Sequence, residues 1–454
     1  MFCSCALLIL LCTAQYTADV AGQQSSKSIA LQRVVVLGGT GRVGGSTAEA
    51  LLNGPNADRY KVQVAGRSED NYNKAAKRRP SLSGAQFLMC DIDSLQSIKA
   101  AIEGAALVIH AAGPFQRKGS CTVLEACIDA KVPYVDVCDD QEYTEATKAL
   151  HQKAAGAGVP CITSAGIYPG VSNLMAAHMI SLARREVKPE YAKVSESGLS
   201  STSASDAPSA DGSQDGGTPV EPRRVRYFYY TAGSGGVGTT ILETSFLLAG
   251  TDVVVYVDGK EVKAKPISER IVKDFGPGIG QRSTYLYHLP EVASTHKCLR
   301  VPSVSARFAT APEFWNWAMW LVARLLPASF LQDRDKIKWL ARISMPWVKL
   351  IDPIAGEKVG MLVEVDLEDG STAAGLYMHK YLSQSVGICV AAFARQILAG
   401  GTKPGVWFPE ESGAVSDRRA VLQEAARGCQ RFELNRPPWA LAGDPVRLGL
   451  GFYW

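Results

Sequence analysis

No two of the 11 cysteines in this 454-residue chain form a C-x-x-C pair. That argues against a zinc ribbon or a thioredoxin-type centre, and no other spacing suggests a metal site. The cysteines are odd in number and scattered among apolar runs, at positions 3, 5, 12, 90, 121, 127, 138, 161, 298, 389 and 429. Such a distribution suits reduced, buried thiols better than a disulfide framework. An excess of either charge is also missing: 48 Lys and Arg stand against 44 Asp and Glu, a net of +4. A chain so balanced has no global electrostatic footprint for nucleic acid. Long apolar runs are lacking as well. Ala6 to Leu11 is far too short to span a bilayer. It has the look of a signal-peptide core, yet no Lys or Arg precedes Lys27, so the basic flank is absent. Residues 1–32 therefore read as a leader, either a targeting segment or a secretory signal over 1–21. What is present is 46% hydrophobic and 20% charged, enough for a well-buried core and about two to three domains.

From Arg33 onward strands alternate with helices. Short β-branched runs at 33–37, 60–65, 86–90, 106–110, 133–137 and 160–164 are separated by helical patterns. This rhythm predicts an α/β domain over 33–170, a Rossmann-type doubly wound parallel sheet. The rhythm breaks near residue 194. Residues 194–221 are rich in Ser, Gly, Ala and Asp and read as a flexible, acidic, solvated insert. Beyond it, strand-like runs at Arg226 to Thr231, Val253 to Val257, Glu261 to Ala264, Thr284 to His288 and Met361 to Leu367 include two Asp-Gly turns. Residues 171–380 are accordingly expected to form an inserted, mixed α+β second domain. Residues 381–454, opening with the apolar helix Gln384 to Leu398, are expected to return to the first domain.

The first strand runs into Gly39-Thr40-Gly41-Arg42-Val43-Gly44, a G-x-G-x-x-G turn that opens a helix. Alone the motif is weak, but strand, turn and helix in this order are its proper context. Gly39 permits the tight turn, Gly41 lets backbone approach a pyrophosphate, and Gly44 allows close helix–strand packing. The helix start presents free N–H groups to the anion. An NAD site would place Asp or Glu at the end of the second strand; here it ends Ala65-Gly66-Arg67-Ser68. Arg67 suits a 2′-phosphate through charge-assisted hydrogen bonds, and Ser68 adds a donor, so the expected cofactor is NADP. Asp91, ending the third strand, is either a further cofactor contact or a helix cap. Ala112 and Gly113, after the fourth strand, leave room for the nicotinamide ribose. His110 within that strand reads as a core histidine.

Catalytic groups are harder to find. The helical Tyr-x-x-x-Lys of short-chain dehydrogenases is missing, because the one such spacing, Tyr256 to Lys260, straddles the Asp258-Gly259 turn. By location, Asp139 and Asp140 after the fifth strand and Tyr168 after the sixth are candidate proton donors. Cys138 has no His or Lys partner in sequence and reads as an inert thiol. A second glycine-rich turn, Gly233 to Gly238, precedes an apolar helix and is a candidate site for a substrate carboxylate.

Several of these segments together resemble the saccharopine dehydrogenase-like oxidoreductase family. They are Gly38 to Gly44, Ala111-Ala112-Gly113-Pro114-Phe115, Tyr134 to Asp140, Tyr168-Pro169-Gly170, and Gly405-Val406-Trp407-Phe408-Pro409-Glu410. The resemblance, strongest to its plant and algal branch, extends over nearly everything from residue 33 onward except the acidic insert. It implies a Rossmann domain holding NADP, an inserted α/β domain, hydride transfer at an imine, amine or carbonyl carbon of a small molecule, and a plastid location. It does not define the substrate. A substrate with several carboxylates would need placed cations, and Arg282, Arg300 and Arg307 carry no assigning spacing, so each is expected at the surface. The alternative is a non-catalytic NADP-binding protein. Phe314 to Leu326 holds Trp315, Trp317 and Trp320, with Trp339 and Trp347 nearby. The segment 314–347 is expected to be core or the interface of a homodimer, with peripheral membrane contact as the alternative.

Overall fold

The computed structural model describes residues 31–113, 115, 120–187, 218–233, 239–443, 447–448 and 452–453. The leader, most of the acidic insert and all but the first residue of the second glycine-rich turn lie outside the described residues. The first layer is a parallel sheet of β1 (Gln32–Leu37), β2 (Tyr60–Gly66), β3 (Gln86–Met89), β4 (Leu107–His110), β5 (Tyr134–Asp136) and β6 (Pro160–Ile162). Val34, Val35, Val36 and Leu37 are all buried, as a strand covered by helices on both faces requires.

The second layer comprises β7 (Pro222–Ala232), β8 (Val253–Val257), β9 (Lys260–Ala264), β10 (Ile271–Asp274), β11 (Gln281–Leu286), β12 (Ser303–Ala311), β13 (Lys358–Leu367) and β14 (Thr372–His379). The chain then returns to the first sheet as β15 (Gly405–Trp407) and to the second as β16 (Arg431–Arg436). The first sheet runs β15-β6-β5-β4-β1-β2-β3, so its order reverses between β1 and β4. The second runs β10-β11-β12-β7-β13-β14-β16, with β8 and β9 attached to β12. Within it β7 and β12 pair in parallel and their neighbours antiparallel, the mixed pattern expected of an insertion.

The closing segment is shared rather than dedicated to the first sheet, because β16 pairs with β14. The helix Leu382–Leu398 does return to the nucleotide-binding half. Gly387 lies so close to Ser46 that a Cβ would fall 2.5 Å from its carbonyl carbon. Arg395 on the same helix donates to Ala50 O at 2.7 Å and Pro55 O at 3.0 Å, and pairs with Glu424. These bonds satisfy the carbonyls at the end of the helix Arg42–Asn53 and hold it against the sheet.

Along β7 the side chains alternate. Val225, Tyr227 and Tyr229 join the core facing the first domain, while Phe228 and Tyr230 join a separate cluster on the outer face. Arg307 departs from the surface expected of it. It is buried on β12 and bonded to Glu269 at 3.0 Å and Ser305 at 2.9 Å. A strand position facing a packed cluster, invisible to sequence spacing, put it there. Arg300 is exposed, and Arg282 is half-buried with its guanidinium over the Tyr230 ring at 5.3 Å.

Candidate cofactor and active site

The glycine turn has no room for side chains. A Cβ on Gly44 would sit 2.4 Å from Gly38 O, one on Gly39 2.9 Å from Val36 O, and one on Gly38 2.7 Å from the Ala112 backbone. Gly38 also has φ +75°, a conformation that favours glycine. Gly41 N donates to Gly38 O at 2.9 Å, closing the turn directly before the helix Arg42–Asn53. The first-turn amides of that helix, including those of Val43 and Gly44, have no partner within the helix, which makes its start a ready site for an anion. Thr40 packs against Gly66, which ties the turn to the end of β2. Arg42 is half-buried beside it, and Arg79 donates to its carbonyl.

Arg67 is exposed directly beyond β2, and among the described residues no acidic side chain is paired with it. Ser68 caps the next helix by accepting from Asn71 N at 3.3 Å, so its hydroxyl already has a structural task. Asp91 does not cap: Ser94 does, accepting from Ser97 N, while Asp91 Oδ1 accepts from Asp93 N at 3.1 Å. Ala112 is half-buried and Gly113 exposed, at the switch point between β1 and β4 where a dinucleotide crosses. The cradle and the lone guanidinium fit an NADP pyrophosphate and 2′-phosphate. His110 is buried and edge-on to Phe115, with ring centroids 4.9 Å apart.

Beyond β5 the carboxylates divide. Asp136 is fully buried and accepts from Ser164 N at 2.7 Å, Cys138 N at 3.0 Å and the Thr163 hydroxyl. Burial pushes its carboxyl up while those bonds pull it back, and it serves as the clasp of two loops. Asp140 caps the helix Gln141–Ala149, accepting from Tyr143 N at 2.8 Å. Asp139 is exposed in the loop after β5. Cys138 is buried, and burial drives its thiol well above the ordinary range, as an inert residue requires.

Tyr168 points between the domains. Its hydroxyl lies 2.9 Å from Thr231 Oγ1 on β7, and its ring stacks on Tyr229 at 4.5 Å. Burial pushes the phenol up to about 12, so Tyr168 holds its proton at neutral pH.

Behind this pair lie two groups that sequence reasoning missed. Glu291 opens the helix Pro290–Leu299 and Glu410 follows β15; both are fully buried. Glu410 Oε1 accepts from Asn173 Nδ2 at 3.0 Å, and Asn173 also donates to Ser294 at 3.2 Å. Glu291 lies against the Tyr229 hydroxyl without a bond of ordinary geometry. Burial pushes each carboxyl up to about 7. Glu291 reads in sequence like any acid favoured in a first helical turn. Glu410 stands in the segment that carried part of the resemblance, yet nothing there indicates burial. Among the described residues no group of His, Cys, Asp and Glu is arranged to hold a metal.

Residues 34–162 match the family profile of the saccharopine dehydrogenase NADP binding domain. The chain is 32% identical to a Mus musculus saccharopine dehydrogenase-like oxidoreductase over 145 residues, 29% of this chain and 34% of that protein. It is 28% identical to a Caenorhabditis elegans lipid droplet localized protein over 127 residues, 27% of this chain and 30% of that one. These matches thus span about a third of each curated relative. The apo saccharopine dehydrogenase (L-Glu forming) of Saccharomyces cerevisiae shares the fold. Its TM-score is 0.56 over 88% of this chain and 98% of that one, at 13% identity.

Proposed function

We propose that this chain, whose residues 34–162 match the saccharopine dehydrogenase NADP binding domain, is an NADP-dependent oxidoreductase acting on a small amine, imine or carbonyl compound. The observation that carries this reading is the placement of the residues: a glycine cradle after β1, Arg67 after β2 and Tyr168 after β6, all at the carboxyl edge of one parallel sheet. Bound NADP supplies or accepts the hydride. The chain's own part is to orient and to manage one proton. The first-turn amides and Arg67 hold phosphates, Ala112 and Gly113 leave space for the ribose, and Tyr168 offers its hydroxyl proton beside Thr231. Asp139 in the loop after β5 is the remaining candidate, whereas Asp140 is engaged as a cap.

Screening NADPH oxidation over amino-acid and keto-acid pairs tests the activity, and turnover that needs Tyr168 supports it. Inactivity across a broad panel, with NADPH bound, favours a non-catalytic NADP-binding protein. The membrane part of that second reading has its own support. Trp317, Trp339 and Trp347 are 65%, 57% and 64% exposed, on the helices Phe314–Leu325 and Arg334–Ala355. Arg324, Lys336, Lys338 and Arg342 are exposed on the same helices. No described helix is long and apolar enough to cross a bilayer, so contact through 314–347 would be peripheral. The name of the nematode relative points the same way. Flotation with phosphatidylcholine–phosphatidylserine vesicles tests it, and a protein that stays at the bottom of the gradient removes it. A homodimer is part of the same proposal and is read by light scattering. A plastid address in residues 1–32, or a secretory one, is read from a fluorescent fusion.

A further inference from the structure

The two buried carboxyls are the least explained feature of the molecule. Glu410, Asp139 and Tyr168 follow β15, β5 and β6, all at the carboxyl edge of the parallel sheet. Arg67 and the glycine turn lie beyond the switch point, toward β2. A dinucleotide laid across the switch point with its adenosine half at Arg67 therefore brings its nicotinamide half toward β5 and β6. Glu291 closes this end from the second domain. Both of its carboxyl oxygens and one of Glu410 are buried without a hydrogen-bond partner, as is the Tyr229 hydroxyl. Buried polar groups normally find partners, so four orphans in one place point to a task other than packing.

We infer that Glu291, coupled to Glu410, holds the proton that accompanies hydride transfer, its charge answering the charge of the nicotinamide ring. The inference rests on the NADP reading above. In the oxidation of an amine, the carbon gives up a hydride to the cofactor and the nitrogen gives up a proton. Next to an oxidised, cationic ring the Glu291 carboxyl is ionised. As the ring becomes neutral that carboxylate loses its counter-charge and takes up one proton, so that its protonation state follows the charge of the ring. Glu291 touches neither substrate nor cofactor on this account. It lies against Tyr229, whose ring stacks on Tyr168, acts on the site through its charge, and is a positioning residue.

The groups facing Glu291 are consistent with this role. They are Tyr229 and Tyr227 from β7, Tyr168 from the loop after β6, Asp139 from the loop after β5, and Glu410. None is a cation. The cation near the second carboxyl is Arg418, which donates to the Glu410 carbonyl at 2.9 Å. With its midpoint raised to about 7, Glu291 changes charge where a proton is easily exchanged.

The test is calorimetric and needs no substrate. NADP+ and NADPH are titrated at pH 7 into the full chain, in two buffers of different ionisation enthalpy. The wild type is expected to release about half a proton per NADP+ bound and close to none per NADPH. Glu291→Gln is expected to lose that difference while binding NADPH as before, and Glu410→Gln to reduce it. Equal proton counts for the two nucleotides in the wild type overturn the inference, as does an undiminished difference in Glu291→Gln. Should that variant not fold, Tyr229→Phe and Glu410→Gln carry the same reading, and an unchanged difference in both is fatal. Absence of binding by either nucleotide is a different failure, since it removes the NADP reading and this inference with it.

Discussion

The second sheet buries carboxylates on both faces, and it treats them in opposite ways. On the outer face Glu364 and Asp366 meet cations: Lys273 reaches Glu364 at 2.7 Å, Arg224 reaches Asp366 at 2.7 Å, and Arg226 touches both at 3.0 Å. Burial pushes Asp366 up, but bonds and charge from Arg224 and Arg226 outweigh it, and the carboxyl sits below its usual range. On the inner face Glu291 and Glu410 have only neutral donors or none, and burial, joined by neighbouring carboxylates, outweighs those bonds. A paired buried charge is a structural brace, whereas an unpaired one is held ready to change protonation.

The largest expected effect breaks the brace. Glu364→Gln leaves Lys273 and Arg226 facing a neutral group and should cost about 3 to 5 kcal/mol of stability, measured by urea unfolding at pH 7. A loss below about 1 kcal/mol would place the outer network among surface ion pairs, which contribute little.

On the inner face the sign reverses. A carboxyl whose folded midpoint lies above its unfolded one binds more protons when folded. Its stabilising share is therefore complete below the unfolded value near 4.5 and is lost as pH rises through about 7. Asp366, held low, behaves oppositely: its share is present above the unfolded value of 3.8 and is lost as pH falls through its depressed midpoint. Glu291→Gln should accordingly be more stable than the wild type at pH 8, by about 2 to 3 kcal/mol, and equal to it near pH 4. Equal unfolding midpoints at pH 8 would mean that the carboxyl is solvated.

Smaller effects sharpen the contrast between chemistry and packing. Arg67→Ala should weaken NADPH about 10- to 100-fold and leave NADH unchanged, since it removes one charge-assisted contact to the 2′-phosphate. Tighter NADH than NADPH binding in the wild type would overturn the cofactor choice. Asp140→Ala should cost about 1 kcal/mol through loss of a helix cap. Asp140→Asn, able to cap as well, should restore stability and activity together; restored stability without activity would return Asp140 to the catalytic candidates.

How far the site was legible follows from the range of each signal. The glycine turn, Arg67, and the β1 to β6 rhythm depend on local spacing, because backbone approach, helix termini and strand burial are decided within a few residues. Asp91 was legible only as an alternative and Ser68 only as a cofactor donor, since a short polar side chain near a helix start serves equally as cap or contact. Arg307 was misplaced because burial on a strand depends on what covers that face. Tyr168 could be located but not assigned, as its partners Thr231 and Tyr229 lie some sixty residues away on another sheet.

By itself the sequence determined the cofactor domain. Its motif is contiguous, its chemistry is backbone geometry plus one cation, and the absence of paired cysteines, net charge and long apolar runs had already excluded the rivals. Only the tertiary structure decided which acids matter. Glu291 and Glu410 stand 119 positions apart in the chain and meet because three separate segments, the helices Val171–Ala183 and Pro290–Leu299 and the turn after β15, converge on Asn173. The shift of a carboxyl midpoint comes from desolvation, and desolvation is a property of the packed interior that no spacing of residues encodes.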